Sequence, residues 1–356
     1  LFSSSGGDTI QMIKTAEYLN KLDGVQVDVK TVDDCVDFYK YDFLHLFNIT
    51  RPSDMMGVIK KAKLPYVIST VYVDYYEAEA NHYQKSRRIL SKIFSMDQLE
   101  YIKILARVFR GQEKISNYKY FIFGQKSSIK NLIKGASMLF PNSLNEYNRL
   151  VKSYGIEQNY KVIPNAVDVD IFNKVYTSQG KYDKFKNAVI SVGQITPVKN
   201  HINLIKSLND TKYKVYIIGM PSLNAIDYYE RCKKIAANNI NFISYVKQEE
   251  LAEIYKRAKV HVLTSWFETT GLVSLEAAYS GCNLVITNRG DQVEYFKDDA
   301  FYCEPDDETS ILKAVDNAFN SVFKEELKER IRLKYTWDLA AKKTLVGYKS
   351  IFKLSI

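Results

Sequence analysis

Two carboxylates, Glu268 and Glu276, stand with seven residues between them in the stretch S-W-F-E-T-T-G-L-V-S-L-E-A-A-Y-S-G, Ser265 to Gly281. An apolar run, Val260 to Leu263, precedes this stretch and reads as a buried strand. Leu272, Leu275, Glu276 and Ala277 follow at helical spacing, so the pattern predicts strand, tight turn, helix. Thr269, Thr270 and Gly271 fall where the helix begins. Amides there and at Leu272 and Val273 have no partner inside a helix and carry the positive end of its dipole. That is equipment for a phosphate or pyrophosphate. Any doubly wound protein offers a glycine-bearing strand–turn–helix, and two Glu at this spacing arise by chance. The whole string is more specific, because it sets turn, helix start and both acids together.

Other loops carry suitable residues. Ala188 to Val192 reads as a strand running into Gly193-Gln194-Ile195-Thr196-Pro197-Val198-Lys199-Asn200, where Lys199 offers a cation. Leu1 to Ser5 reads as a first strand with Gly6-Gly7-Asp8 turning into a helix from Thr9. Adjacent glycines let a backbone approach a ligand, although an ordinary βα turn reads the same way. Tyr66 to Val73 is predicted to be a strand ending near Tyr72 and Asp74. Val25 to Val32 alternates as a strand should, and Phe43 to Phe47 is another, in which His45 reads as a strand histidine with a satisfied ring nitrogen. Asn142-Ser143 with Glu146 forms a helix-capping arrangement.

The Glu-x7-Glu frame, Lys161-Val-Ile-Pro-Asn-Ala-Val-Asp168 and the 193–200 loop together resemble family 4 of the retaining, nucleotide-sugar-dependent glycosyltransferases of GT-B fold. The resemblance spans nearly the whole chain, is strongest from Lys161 onward and is weakest between Lys85 and Lys134. It implies an α/β GT-B fold, two Rossmann-like doubly wound parallel-sheet domains facing an inter-domain cleft. The expected divisions are an acceptor domain over 1–172, a donor-nucleotide domain over 173–338, and a helix over 339–356 crossing back to the first domain. The donor site would comprise Gly193, Gln194, Lys199, Thr269, Thr270, Gly271, Leu272, Val273 and Glu276. By the same resemblance Glu268 contacts donor-sugar hydroxyls, Glu276 accepts from the ribose hydroxyls, and Lys199 with Glu268 forms the catalytic pair. Gly6, Gly7, Tyr72 and Asp74 would line the acceptor side. Two departures stand out: Gln194 replaces an expected arginine, and Tyr72-Val73-Asp74 replaces an expected histidine. Asp168-Val-Asp170 mimics a metal-binding D-x-D but reads as structural inside its signature. No cofactor or metal is expected, since lysine and helix end already meet the diphosphate.

Length and composition fit this reading. The 356 residues suffice for two domains, and 46% hydrophobic with 26% charged residues is globular. Four cysteines, Cys35, Cys232, Cys282 and Cys303, lie far apart, which favours reduced thiols and a cytoplasmic setting. No apolar run is long enough to span a membrane and no secretory signal is visible; the start at Leu1 reads as the middle of a strand. Between Lys85 and Lys134 twelve Lys or Arg face three acids, a surplus equal to the net +9 of the chain. Ile89, Ile93, Leu99, Ile102, Leu105 and Phe109 predict a pair of amphipathic helices there. Such a stretch suits a solvated helix face or an anionic membrane surface at the inner face of the plasma membrane. No nucleic-acid module is present, so nucleic acid is not an expected partner.

The expected activity is transfer of a hexose from a nucleoside-diphosphate donor, a UDP-sugar first, to a hydroxyl of a glycan or lipid-diphosphate-linked acceptor in bacterial surface polysaccharide assembly. Two alternatives stay open, a non-catalytic sugar-nucleotide-binding protein and a GT-B nucleotide-sugar epimerase. A nicotinamide dehydrogenase is disfavoured, because no G-x-G-x-x-G follows the first strand.

Overall fold

The computed structural model describes residues 6–111, 117–174 and 180–352. The strand expected at Leu1–Ser5 lies outside them, as do Glu113 and Lys114 of the basic stretch. The chain forms two compact units, Leu1–Pro164 with Asp338–Ile356, and Asn165–Trp337.

In the first unit three parallel strands are described, β1 (Leu44–Phe47), β2 (Tyr66–Ser69) and β3 (Met138–Phe140), in the order β1-β2-β3. Leu44 lies opposite Tyr66 and Val67 opposite Met138. Their apolar side chains pack with those of helices Lys119–Gly135 and Leu144–Tyr154 around Ile68, Ile129, Leu132, Ile133, Leu139 and Leu150. From Asp338 onward the closing helix, Trp337–Phe352, belongs to this unit. Tyr348 meets His45 Nδ1 at 2.6 Å, Phe352 stacks on Phe43 at 4.1 Å, and Gly347 leaves room for the Phe140 ring, which a Cβ would strike. His45 Nε2 meets Ser69 Oγ at 2.9 Å, so both ring nitrogens are satisfied.

In the second unit six parallel strands run β4 (Val189–Val192), β5 (Val215–Ile218), β6 (Ile240–Ile243), β7 (Val260–Leu263), β8 (Asn283–Thr287) and β9 (Phe301–Cys303). Their spatial order is β6-β5-β4-β7-β8-β9. β4, β5, β7 and β8 are buried along their whole length, which is why they read as continuous apolar runs and not as alternations. Helices such as Gln248–Arg257 and Leu272–Tyr279 supply Leu251, Ile254, Leu275 and Ala277 to the core. The order in which strands are added reverses between β4 and β7, so the loops after these two neighbouring strands meet at their carboxyl ends, the place where open α/β sheets bind ligands.

Sequence expectations are corrected in four places. Val25–Val32 forms no strand and Val32 lies in a turn; the Asn20 side-chain amide donates to Val27 O at 2.9 Å and accepts from Val27 N at 2.7 Å, standing where a ladder partner would. The strand from Tyr66 stops at Ser69, short of Val73, and Val71 takes a left-handed φ of 44°. The helix expected from Thr9 begins at Gly7. The chain divides at Pro164/Asn165, whereas the sequence suggested 172/173. Val167 N bonds Tyr335 O at 2.9 Å and Asn165 N bonds the Tyr295 hydroxyl at 3.2 Å, which ties this signature to the second unit.

Candidate functional site

Lys199 and Glu268 come together at the β4/β7 reversal. After β4 the chain passes Gly193, whose carbonyl packs so closely on Gly219 that a Cβ at Gly219 (φ 153°) would overlap it. It then forms the short turn Pro197–Lys199 and reaches Asn200, at a left-handed φ of 57°. Asn200 Nδ2 donates to Thr264 O at 3.1 Å and to Pro305 O at 2.6 Å, and Trp266 N donates to Val198 O at 2.9 Å. These bonds stitch the Lys199 loop to the loop after β7. Glu268 is held by its backbone against the loop after β8: its N–H donates to Arg289 O at 3.3 Å and its carbonyl accepts from Asp291 N at 2.8 Å. Gly290, between them at φ 103°, allows this approach because a Cβ would collide with the Glu268 carbonyl. The buried Glu268 carboxylate accepts from Ser265 Oγ at 2.6 Å and pairs with Lys199 Nζ. Gln194 is half-buried beside this loop and offers amide dipoles without a charge.

The turn that follows is braced from below. Thr270 Oγ1 donates to the Tyr295 hydroxyl at 3.1 Å, Asn165 Nδ2 donates to Thr270 Oγ1 at 3.3 Å, and Gln292 Nε2 donates to Thr270 O at 3.2 Å. Gly271 takes φ 68° and caps the helix; a Cβ there would sit 2.6 Å from Gln292 Nε2. Thr270 and Gly271 are buried, Thr269, Leu272 and Val273 half-exposed. The amides of Leu272 and Val273 reach no acceptor among the described residues, as the first amides of a helix should.

The Glu276 carboxyl, on the buried side of that helix, receives no hydrogen bond among the described residues. Burial, with a smaller contribution from the Asp168 charge, pushes its pKa up to about 8. The Tyr255 hydroxyl is buried without a partner and feels the Glu276 charge. Asp168 caps the helix Val169–Asn173 through Ile171 N at 3.4 Å.

In the first unit Gly6 is the N-cap and Gly7 the first residue of the helix Gly7–Leu19. Tyr72 follows β2, half-buried and packed at 5.7 Å on Tyr154; burial raises its phenol pKa. Asp74 is exposed and accepts from Tyr76 N at 2.9 Å. The carboxyl ends of the strands converge on Glu146, which accepts from Thr70 Oγ1, from Tyr72 N at 2.9 Å and from Asn142 N at 3.0 Å. Asp8 accepts from Asn48 Nδ2 at 3.0 Å and Gln11 bonds Asn142 at 2.8 Å.

Sequence reasoning missed Ser265, Asn165, Gln292 and Tyr295, which position the turn, and Asp8 and Asn48 beside the two glycines. Ser265, three residues ahead of Glu268, Asp8, next to the glycines, and Asn165, inside the Lys161–Asp168 signature, carried local signals, whereas Gln292 and Tyr295 reach the turn from 22 or more residues away along the chain.

The fold comes first in the comparisons. A structure of HepE from Anabaena with UDP and glucose superposes with a TM-score of 0.69 at 14% identity, covering 98% of either chain. A sucrose-phosphate synthase from Thermosynechococcus elongatus gives 0.67 at 13%, covering 88% of this chain and 75% of its own. The fold is therefore GT-B. Residues 173–334, somewhat under half of the chain, match the family model of glycosyl transferases group 1. Among curated relatives, an uncharacterized glycosyltransferase of Methanocaldococcus jannaschii is 29% identical over 45% of this chain and 44% of its own. A probable sucrose-phosphate synthase of Thermosipho melanesiensis is 27% identical over 62% and 56%. A D-inositol 3-phosphate glycosyltransferase of Geodermatophilus obscurus is 28% identical over 44% and 39%. The chain thus spans about half the length of the curated relatives it matches.

Proposed function

We propose that this chain is a retaining hexosyltransferase of the family 4 kind. Its donor is a nucleoside-diphosphate sugar, a UDP-hexose first, and its acceptor a hydroxyl of a glycan or lipid-diphosphate-linked glycan in bacterial surface polysaccharide assembly. The observation that carries the reading is Lys199 beside Glu268 at the strand reversal, next to the open amides of Leu272 and Val273. The UDP and glucose of the HepE structure, and the glycosyltransferase names of two of the relatives, support it.

In the reaction the bond from the anomeric carbon to the diphosphate oxygen breaks and one to the acceptor oxygen forms. The acceptor proton leaves on the departing diphosphate. Negative charge gathers on that leaving group, and Lys199 with the helix-start amides stabilises it. Donor entry frees Lys199 from Glu268, and the released carboxylate turns to the sugar hydroxyls. Glu276 takes the ribose diol, its hydroxyls supplying the hydrogen bonds the buried carboxyl lacks. Gly193 and Gln194 line the diphosphate, with Thr269, Thr270 and Gly271 shaping the turn beneath it. Gly6, Gly7, Tyr72 and Asp74 serve the acceptor. The reading calls on no metal.

Thermal-shift screening with UDP-, GDP- and ADP-hexoses identifies the donor, and product analysis with and without acceptor glycans identifies the reaction. Glu268→Gln should lower turnover more than donor affinity; wild-type turnover in that variant would overturn the assignment. Gln194 at the arginine position favours one second reading, a sugar-nucleotide-binding protein without transfer. Tight UDP-hexose binding with neither transfer nor hydrolysis would establish it, and an epimerised donor without acceptor would mark an epimerase.

A further inference from the structure

The helix Lys85–Ile93 is built inside out. Its inward residues are polar: Ser91 is its buried residue, and Arg87, one turn earlier on the same side, bonds the buried Glu79 at 2.9 Å through Nε. Lys103 of the next helix, Met96–Phe109, reaches the same carboxylate at 2.9 Å, so one acid pins both helices. Ile89, Leu90 and Ile93, at three- and four-residue spacing, are exposed, with Ile93 66% accessible. Lys85, Arg88 and Lys92 share the neighbouring exposed side. A surface helix ordinarily turns its apolar stripe to the core. Here the stripe faces water and the carboxylate anchor faces in.

The same segment carries a second exposed apolar group. Phe121, Ile122 and Phe123 precede Gly124, whose φ of 68° and ψ of −177° break the helix Lys119–Gly135, and Ile122 is 73% exposed. The Tyr101 hydroxyl donates to Phe121 O at 2.9 Å, fixing this group beside Met96–Phe109. Phe109, 88% exposed, ends that helix next to Arg107 and Arg110.

We infer that the helices Lys85–Ile93 and Met96–Phe109, with Phe121–Phe123, form a docking face for an anionic phospholipid bilayer, entered by the apolar side of Lys85–Ile93 and by Phe121–Phe123. The occupant is chosen by charge: the cations border one edge of the apolar stripe, while the acids Glu79 and Glu100 are engaged with Arg87 and Lys103 and Asp97 accepts from the Tyr154 hydroxyl. An apolar stripe bordered by lysine and arginine is the pattern of a helix lying in a bilayer interface. The inference goes beyond the transferase reading and does not depend on it, because docking is measured without a sugar nucleotide.

The test is flotation of the full chain with phosphatidylcholine vesicles, with and without phosphatidylglycerol, at low and high salt. The chain should float with the phosphatidylglycerol vesicles alone, and less at high salt. The double variant Ile89→Ser/Ile93→Ser should lose binding by about tenfold or more, whereas Val322→Ser, a still more exposed apolar site in the second unit, should not. Ile93→Trp should show blue-shifted emission on binding, quenched by brominated acyl chains. Equal flotation of the double variant and the wild type, or no quenching, would overturn insertion. A dimer in sedimentation that the double variant dissolves, with no flotation of the wild type, would make the face a contact between copies and also overturn it. Transfer to a soluble acceptor assayed on the same variant keeps the two readings apart: loss of flotation with transfer intact leaves the enzyme reading standing.

Discussion

Replacing Glu276 with glutamine separates the energetic cost of that carboxylate from its use. Its carboxyl pKa is raised from 4.5 to about 8 in the fold, chiefly by burial. Between these values the folded state holds a proton that the unfolded chain has released, so stability falls as pH rises through the window and stays low above it. Below about pH 4.5 both states are protonated and glutamine should match glutamate. A tenfold change in proton affinity between the two states is about 1.4 kcal/mol, so the ceiling on the cost at pH 9 is about 5 kcal/mol. At roughly 2–4 °C per kcal/mol for a unit of this size, Glu276→Gln should melt on the order of 10 °C above the wild type at pH 9 and level with it near pH 5. Melting curves of both proteins across that range are the assay; a pH-independent gap would refute the argument. The same carboxylate should serve the donor, since a ribose diol hydrogen-bonds its ionised form. UDP-glucose affinity by calorimetry should therefore rise with pH toward 8 in the wild type and be weak and flat in the variant.

Lys199→Ala should lower turnover by about 10²–10³-fold and lower the melting point as well, because it leaves the buried Glu268 carboxylate without its cation; a stopped assay with the identified donor and melting curves check it. Gly290→Ala should unfold or loosen the Glu268 loop, costing about 2 kcal/mol or more, because it combines φ 103° with a collision at the Glu268 carbonyl; an unchanged melting point would count against the geometry. The histidines should make the protein acid-labile. Burial lowers His45, His201 and His261 to about 3 and His82 to about 4. Their contribution to stability is complete above about 6.5 and is lost as pH falls toward those values. Melting points should drop steeply from pH 6.5 to pH 4.5, and a flat profile there would sink this account.

The second unit was legible in its sequence because its inner strands are wholly buried. Val189–Val192 and Val260–Leu263 appear as short apolar runs punctuated by glycine and polar turns, and each lies within a residue or two of its expected place. The pairing of Lys199 with Glu268 was only half visible. Each residue sat in a recognisable motif, but their meeting depends on β4 and β7 being neighbours, which is a fact of topology. Asn165 stood in a recognisable signature, but its bracing of Thr270 together with Gln292 and Tyr295 could not be read, since hydrogen bonds across 22 to 130 residues leave no periodicity. Val25–Val32 misled because alternation reports a face half in contact with something, and Asn20 supplied that contact without a sheet. The basic helices were expected as amphipathic, yet which side faced inward could not be read, because Arg87 looks like any other surface cation until Glu79 is placed beneath it.

The return of residues 338–352 to β1 bears on how the chain is made. Phe43, His45 and Phe140 rest on Tyr348, Phe352 and Gly347, so the first unit stays unfinished until this later-synthesised helix arrives. The later-encoded unit, contiguous from Asn165 to Trp337, is the one free to fold first. Until then a ribosome-bound or truncated chain would leave this aromatic seam bare, an invitation to chaperones and a hazard for expression of shortened forms.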